Sequence, residues 1–177
     1  MPGICAECAL AKGQVCCDVA EGERLATLTL ADIDRIEAAT GWPARRFVST
    51  EELDPAVRLG YETLRPLYRG MFVSGLRHEL KAWRGACALL ERGRGCRLPA
   101  EAKPLACRLY PLDFDLAGRI VLLDAPHCLA LERATRPGEL LRMLGTSQRA
   151  LRRLRRQALA DASDHIRRLR RASRAGR

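Results

Sequence analysis

The chain has 177 residues, 47% of them apolar and 29% charged, with a formal net charge of +10. A chain of this length buries roughly 70% of the surface its unfolded form exposes, enough for one core, which argues against disorder, a collagen-like rod or a coiled-coil rod. Its apolar stretches are short and interrupted by charge, none reaching the roughly 18 residues that would span a bilayer, so a soluble protein with one main domain is expected.

The opening residues, Met1-Pro2-Gly3-Ile4-Cys5-Ala6-Glu7-Cys8, carry neither a basic segment nor an apolar run. A cytoplasmic location is therefore expected. In that reducing setting eight cysteines point to metal binding or redox chemistry before they point to disulfides. The charge is unevenly spread. Residues 148–177 hold eleven Arg against two acids, Asp161 and Asp164, so +9 of the +10 lies in this tail.

In chain order, residues 25–30 form a β-compatible run, and Thr29-x-x-Asp32 resembles a capping box that opens a helix through Ile33 and Ile36, stopped by Gly41. Asp54-Pro55 reads as an N-cap followed by Pro at the first helical position. Val57, Tyr61, Leu64 and Tyr68 recur at helical spacing after it, with a break or kink at Pro66. Residues 71–83 alternate around Ser74-Gly75 and predict a hairpin. Further hairpins are predicted for residues 86–90 with 95–98 and for residues 112–116 with 119–123. Between them, Lys103-Pro104-Leu105-Ala106-Cys107-Arg108 reads as a short Pro-initiated helical turn. Past Cys128 the pattern is helical: residues 137–144 end at Gly145, and Thr146 or Ser147 caps a last helix. Its apolar stripe is Leu151, Leu154, Ala158, Ala162, Ile166 and Leu169. These elements predict an α+β fold: a small, irregular, cysteine-rich domain with short hairpins and helices, organised by metal, plus a basic amphipathic C-terminal helix. The expected division is a cysteine-cluster metal-binding domain over residues 1–135 and an Arg-rich helical extension over residues 136–177.

The cysteines fall as Cys5-x2-Cys8, Cys16-Cys17, Cys87, Cys96, Cys107 and Cys128. A C-x-x-C pair in a turn lets two thiolates meet one ion, and the others lie at predicted hairpin ends or in a helical turn, where backbone bends aim side chains inward. Neighbouring Cα atoms about 3.8 Å apart are too close for an ordinary disulfide, so Cys16 and Cys17 are not expected to bridge each other. On an extended backbone their sulfurs would point opposite ways and serve two centres. Eight thiolates divide arithmetically into two four-ligand sites.

Several segments together carry a resemblance: Cys5-x2-Cys8, Cys16-Cys17, Gly85-Ala86-Cys87-Ala88-Leu89-Leu90, Gly95-Cys96-Arg97-Leu98 and Lys103-Pro104-Leu105-Ala106-Cys107-Arg108-Leu109-Tyr110-Pro111. Over about residues 5–130 the chain resembles the bacterial YkgJ-type cysteine-cluster family, described as zinc- or iron-chelating domains with eight characteristic cysteines. The resemblance implies that Cys5, Cys8, Cys16, Cys17, Cys87, Cys96, Cys107 and Cys128 are all metal ligands. Two departures stand out: the seven-residue gap between Cys8 and Cys16 is longer than usual, and Lys103 replaces the more usual Arg. Structural zinc ribbons usually show two close Cys pairs and this chain shows one C-x-x-C, whereas iron–sulfur clusters accept scattered thiolates. The cofactor is thus Zn²⁺ or an Fe–S cluster, with the balance toward Fe–S. A four-thiolate centre is negatively charged, and Arg84, Arg97 and Arg108 are candidates to balance it.

His127 is a candidate ligand or a donor to sulfur. His78-Glu79 fails the H-E-x-x-H pattern because Ala82 stands in the second His position, and no G-x-G-x-x-G, Walker A or G-x-S-x-G motif is present. No catalytic motif is identified; an open coordination position on an Fe–S centre would support a redox or metal-dependent enzyme. Asp113, Asp115 and Asp124 are read as solvated edge or turn residues, and Tyr110 and Trp83 as packing beside the metal core. Residues 148–177 have two readings: a helix docked through its apolar stripe, or a contact surface for nucleic acid or an anionic membrane.

Overall fold

The computed structural model describes residues 4–12, 15–19, 25–64, 68–115, 117–125 and 128–175. Helix α1 (Ile4–Lys12) is followed by α2 (Leu30–Thr40), whose boundaries come from local chemistry. The Thr29 hydroxyl accepts from the Asp32 amide, the Asp32 carboxylate accepts from the Thr29 amide, and Gly41 ends the helix at φ +66°, a conformation that favours glycine. Helix α3 (Pro55–Leu64) begins after Asp54, which accepts from the Ala56 amide at 2.8 Å. Pro66, expected to break it, lies outside the described residues.

The strands form two-stranded antiparallel pairs: β1 (Val48–Glu52) with β2 (Leu76–Leu80), β3 (Ala82–Trp83) with β4 (Ala86–Cys87), β5 (Leu90–Glu91) with β6 (Gly95–Cys96), and β7 (Leu112–Phe114) with β8 (Ile120–Leu122). The last two pairs are hairpins at the predicted turns, but of the strand expected over residues 86–90 only Leu90 joins β6, because Ala86–Cys87 pair with β3 across the Arg84-Gly85 turn; Leu116 lies outside the described residues. Residues 25–30 run extended beside β2, with Leu28 donating to the His78 carbonyl and Leu80 to that of Ala26.

The hairpin predicted over residues 71–83 does not form. Met71 and Phe72 turn inward and are buried with Leu53 and Ala162, which leaves β2 to pair with β1, the strand that precedes α3 in the chain. Burial of two large apolar side chains outweighs the period-two pattern. On β2, Arg77 is only 1% exposed and is neutralised by Glu51 at 3.1 Å and by Glu79, with the Tyr61 hydroxyl accepting at 2.6 Å.

Short helices α4 (Leu105–Leu109), α5 (Leu129–Arg133) and α6 (Pro137–Met143) lead to α7 (Gln148–Ala175). Ser147 caps α7 by accepting from the Ala150 amide. The fold is thus α+β with a long C-terminal helix, and that helix is part of the core. Leu151 packs with Leu109, Leu112, Phe114, Ala130 and Leu140, while Ala162 joins Leu53, Met71 and Phe72. His165, 2% exposed, accepts the Leu30 amide at Nδ1 (3.1 Å) and hydrogen-bonds the Met71 backbone. It satisfies one of the amides that the start of α2 leaves without an intrahelical partner. Arg35 bridges Asp32 (2.6 Å) to Asp161 (2.8 Å), and Arg168 meets Asp34 at 2.5 Å.

Candidate metal centre

Cys5 and Cys8 lie on α1 rather than in a turn. Ile-Cys-Ala-Glu-Cys-Ala-Leu-Ala-Lys is rich in strong helix formers, and a spacing of three places both thiols on one helical face, the geometrical service the turn was expected to give. The helix is fastened to α5 by ion pairs between Lys12 and Glu132 and between Arg133 and Glu7, the latter at 2.9 Å. Cys128 immediately precedes α5.

Cys16 and Cys17 occupy a turn closed by the Asp18 amide on the Val15 carbonyl (2.8 Å), and their thiols hydrogen-bond to each other. The expectation of an extended backbone with divergent sulfurs is therefore corrected: the turn brings neighbouring side chains to one side. From this turn the Cys17 carbonyl accepts the Cys87 amide at 2.8 Å, and Asp18 bridges to Ala86, so the vicinal pair is sewn to the β3–β4 hairpin. The Cys87 sulfur accepts the Leu89 amide at 3.5 Å. Cys96 is opposite Leu90 on the next hairpin, and Cys107 rides on α4. The first amide of α4, from Leu105, is held by the buried Asp32 carboxylate at 3.1 Å, so α2 supplies from afar the cap that Pro104 lacks.

All eight cysteines are free thiols and influence one another electrostatically. Cys5 feels Cys16, Cys128 and Cys8, whereas Cys107 feels Cys87, Cys16 and Cys96. Cys17, Cys87, Cys96 and Cys107 also share one apolar cluster around Leu89 and Leu98, and Cys128 packs in another with Ile4. Cys16 links the two sets.

Cys5, Cys16, Cys87 and Cys107 resist ionisation. Cys5 and Cys16 are exposed as residues, yet protein desolvates their sulfurs. Desolvation raises Cys5 and Cys107, pushes Cys87 up to about 11, and adds to the Cys17 hydrogen bond that foremost holds the proton on Cys16. Tyr110 stands beside the first set, pushed up to about 12 by desolvation and then by Cys16 and Cys128. Among the described residues no three His, Cys, Asp or Glu side chains are arranged to hold one ion. The donor set itself is eight soft sulfurs, the chemistry that suits zinc and iron–sulfur centres.

Of the charge-balancing arginines expected from sequence, Arg97 and Arg108 are engaged elsewhere. Arg97 binds Glu91 at 2.6 Å and lies over Trp42, Arg108 reaches Gln157 at 3.3 Å, and Arg84 sits at the tip of the β3–β4 hairpin. The cation that acts on the thiols is Lys103, which favours ionisation of Cys5 and Cys16. It was visible in sequence only as the departure from Arg before Pro104. Trp83 is not packed but 65% exposed. Asp115 is a turn residue bound to Arg119, but Asp113 is buried and accepts the Phe114 amide at 2.8 Å, contrary to a solvated-edge reading. His127 lies outside the described residues.

No helix among the described residues is long and apolar enough to cross a membrane. No family model, no curated protein and no solved structure matches the chain.

Proposed function

We propose that the chain is a metal-binding protein of the YkgJ type, in which the eight cysteines hold zinc or iron, the iron as an Fe–S cluster. The observation that carries this reading is that free thiols from α1, the 16–17 turn, two hairpins, α4 and the start of α5 act on one another electrostatically, in two sets linked through Cys16. Thiols separated by up to 123 positions do not meet by local geometry. Crowding that many sulfurs together in a partly ionised state would be costly without a cation, and a bound metal turns that cost into folding free energy. We assign Cys5, Cys8 and Cys128 to one side of the group and Cys87, Cys96 and Cys107 to the other, with the hydrogen-bonded Cys16–Cys17 pair between them. Lys103 offsets part of the negative charge. The bound group would supply a structural anchor if it is zinc, or a redox centre if it is Fe–S.

The test is metal and acid-labile sulfide content, with an absorption spectrum, on protein purified anaerobically without a metal-binding tag. Tightly held zinc, or iron with stoichiometric sulfide and a broad visible band, supports the reading. Folded protein devoid of both refutes it.

A second reading concerns α7. Arg149, Arg152, Arg153 and Arg156 are exposed, and the same pattern returns eighteen residues later as Arg167, Arg170, Arg171 and Arg174. Eighteen residues are five helical turns, so both groups lie on one face, about 27 Å apart along the axis. The opposite face is spent on the core, which leaves no apolar stripe to enter a bilayer and favours a phosphate backbone over a membrane. Glutamate at Arg152, Arg153, Arg170 and Arg171 should abolish binding to a DNA duplex while leaving metal content unchanged; unaltered binding refutes this reading.

A further inference from the structure

Beside the β3–β4 hairpin lies an open groove of about 750 Å³, within the size range of small-ligand sites. Its floor is Ala86, Cys87, Ala88 and Leu90. Two tryptophans, Trp42 and Trp83, stand over this floor. Arg45 and Arg46 come from the 3-10 turn before β1, Lys81 and Arg84 flank Trp83, and Arg92 comes from the β5–β6 turn. Among the described residues, no Asp or Glu lines it. Asp18 touches only its edge, 3.6 Å from Arg92.

The two indoles are in different states. Trp42 is already stacked, with the guanidinium of Arg46 at 4.3 Å and that of Arg97 at 4.4 Å from its ring centre. Trp83 is 65% exposed and has no ring or cation stacked on it among the described residues. An indole held out at the end of a hairpin strand has large apolar faces with nothing stacked against them, and what best covers such a face is another flat ring. The next residue adds to the pattern. Arg84 adopts φ +51° in a turn whose second central residue, Gly85, has φ +75°. Asn, Asp or Gly occupies such a position with less strain, so this turn accepts an arginine at a conformational cost and thereby sets a guanidinium beside Trp83.

We propose that this groove binds a nucleotide unit with an unpaired base, the base stacking on Trp83 and the phosphate lying among Arg45, Arg46, Arg84 and Arg92. A cationic channel with an exposed aromatic platform is how single-stranded nucleic acid is held without sequence preference. A duplex does not fit, because its bases are already stacked on one another. An anion without a ring would leave Trp83 unused. The site is separate from the α7 arginine face and does not depend on which metal the thiols hold.

The experiment uses the full chain, with its metal as purified, and follows the anisotropy of a fluorescein-labelled (dT)12 at 50 mM and 200 mM salt. Unlabelled UMP and inorganic pyrophosphate serve as competitors. Binding that weakens with salt is expected, and Trp83→Ala should weaken it about tenfold or more, the range for loss of one stacked base. Arg84→Gly should also weaken it; glycine accepts the left-handed turn freely, so this variant keeps the hairpin and separates ligand contact from folding. Competition by UMP at concentrations matching (dT)12 per nucleotide identifies a free nucleotide as the ligand, and binding by (dT)12 alone identifies a strand; both uphold the site. Wild-type affinity in both variants would place the oligonucleotide elsewhere, on α7 for instance, and overturn the proposal. Pyrophosphate competing as well as UMP would also overturn it, because the base would then contribute nothing.

Discussion

Replacing His165 by leucine tests whether α7 is part of the folded body. The imidazole takes the Leu30 amide at Nδ1 and hydrogen-bonds the Met71 backbone, and it is 2% exposed. Leucine fills much of the space but leaves two backbone groups without partners, each costing about 1–3 kcal/mol, so a loss of roughly 3 kcal/mol is expected. That is a large share of the 5–15 kcal/mol typical of a folded domain. The same contact makes stability depend on pH. Desolvation first, then His78 with its ring 6.1 Å away and Arg168, hold His165 below its ordinary value, against the favourable pull of the Met71 backbone and Asp32. Below about pH 6.5 the unfolded chain therefore takes up protons that the folded chain refuses. The stabilisation is complete above that pH and is lost as pH falls through the depressed folded value, where a protonated Nδ1 would face the Leu30 N–H. Urea unfolding followed by far-UV circular dichroism at pH 7.5 and 5.0 should show a marked loss for the wild-type chain. The leucine variant should start lower and lose less, with the remaining dependence from His78, which burial also depresses. A variant within about 0.5 kcal/mol of wild type, or one with an undiminished pH response, would refute the account.

Asp32 holds the Thr29 amide and hydroxyl, Arg35 and the Leu105 amide at once. Asp32→Ala should destabilise by about 3–5 kcal/mol, as expected for breaking a buried charged network, and should loosen Cys107, measured as faster labelling of thiols by a maleimide in metal-free protein. Gly118 has φ +77°, and an added Cβ would come within 2.8 Å of the Arg155 guanidinium, which also lies over Phe114. Gly118→Ala should cost about 1–2 kcal/mol in thermal unfolding, and Gly118→Ala combined with Arg155→Ala should relieve the steric part alone. If the thiols bind metal, chelation should lower the melting temperature and release α1 from the body, seen as faster amide hydrogen exchange along α1; Cys107→Ser should weaken retention of the metal.

Local chemistry made much of the architecture legible. The Thr29–Asp32 box, Gly41, Asp54-Pro55, Pro104, the glycine turns and Ser147 each act within a few residues, so their effect is readable from order alone. The stripe from Leu151 to Leu169 marked α7 as a helix in the same way. The eight cysteines are plain in the chain, and the metal chemistry proposed above rests on their number and order. What sequence order could not convey were choices made by burial. Met71 and Phe72 left the predicted hairpin because the core beside Leu53 and Ala162 gains more from them than a ladder does, and β2 consequently found β1. Partners distant in the chain were equally hidden: His165 on the Leu30 amide, Asp32 on that of Leu105, Lys103 acting on Cys5 and Cys16. The exposure of Trp83 belongs with these, since an indole at a hairpin tip and an indole in a core have the same neighbours in sequence. Hydrogen bonding and apolar periodicity over a turn or two are written in the chain, whereas which surfaces meet depends on the total area each arrangement removes from water, and only the folded chain decides that.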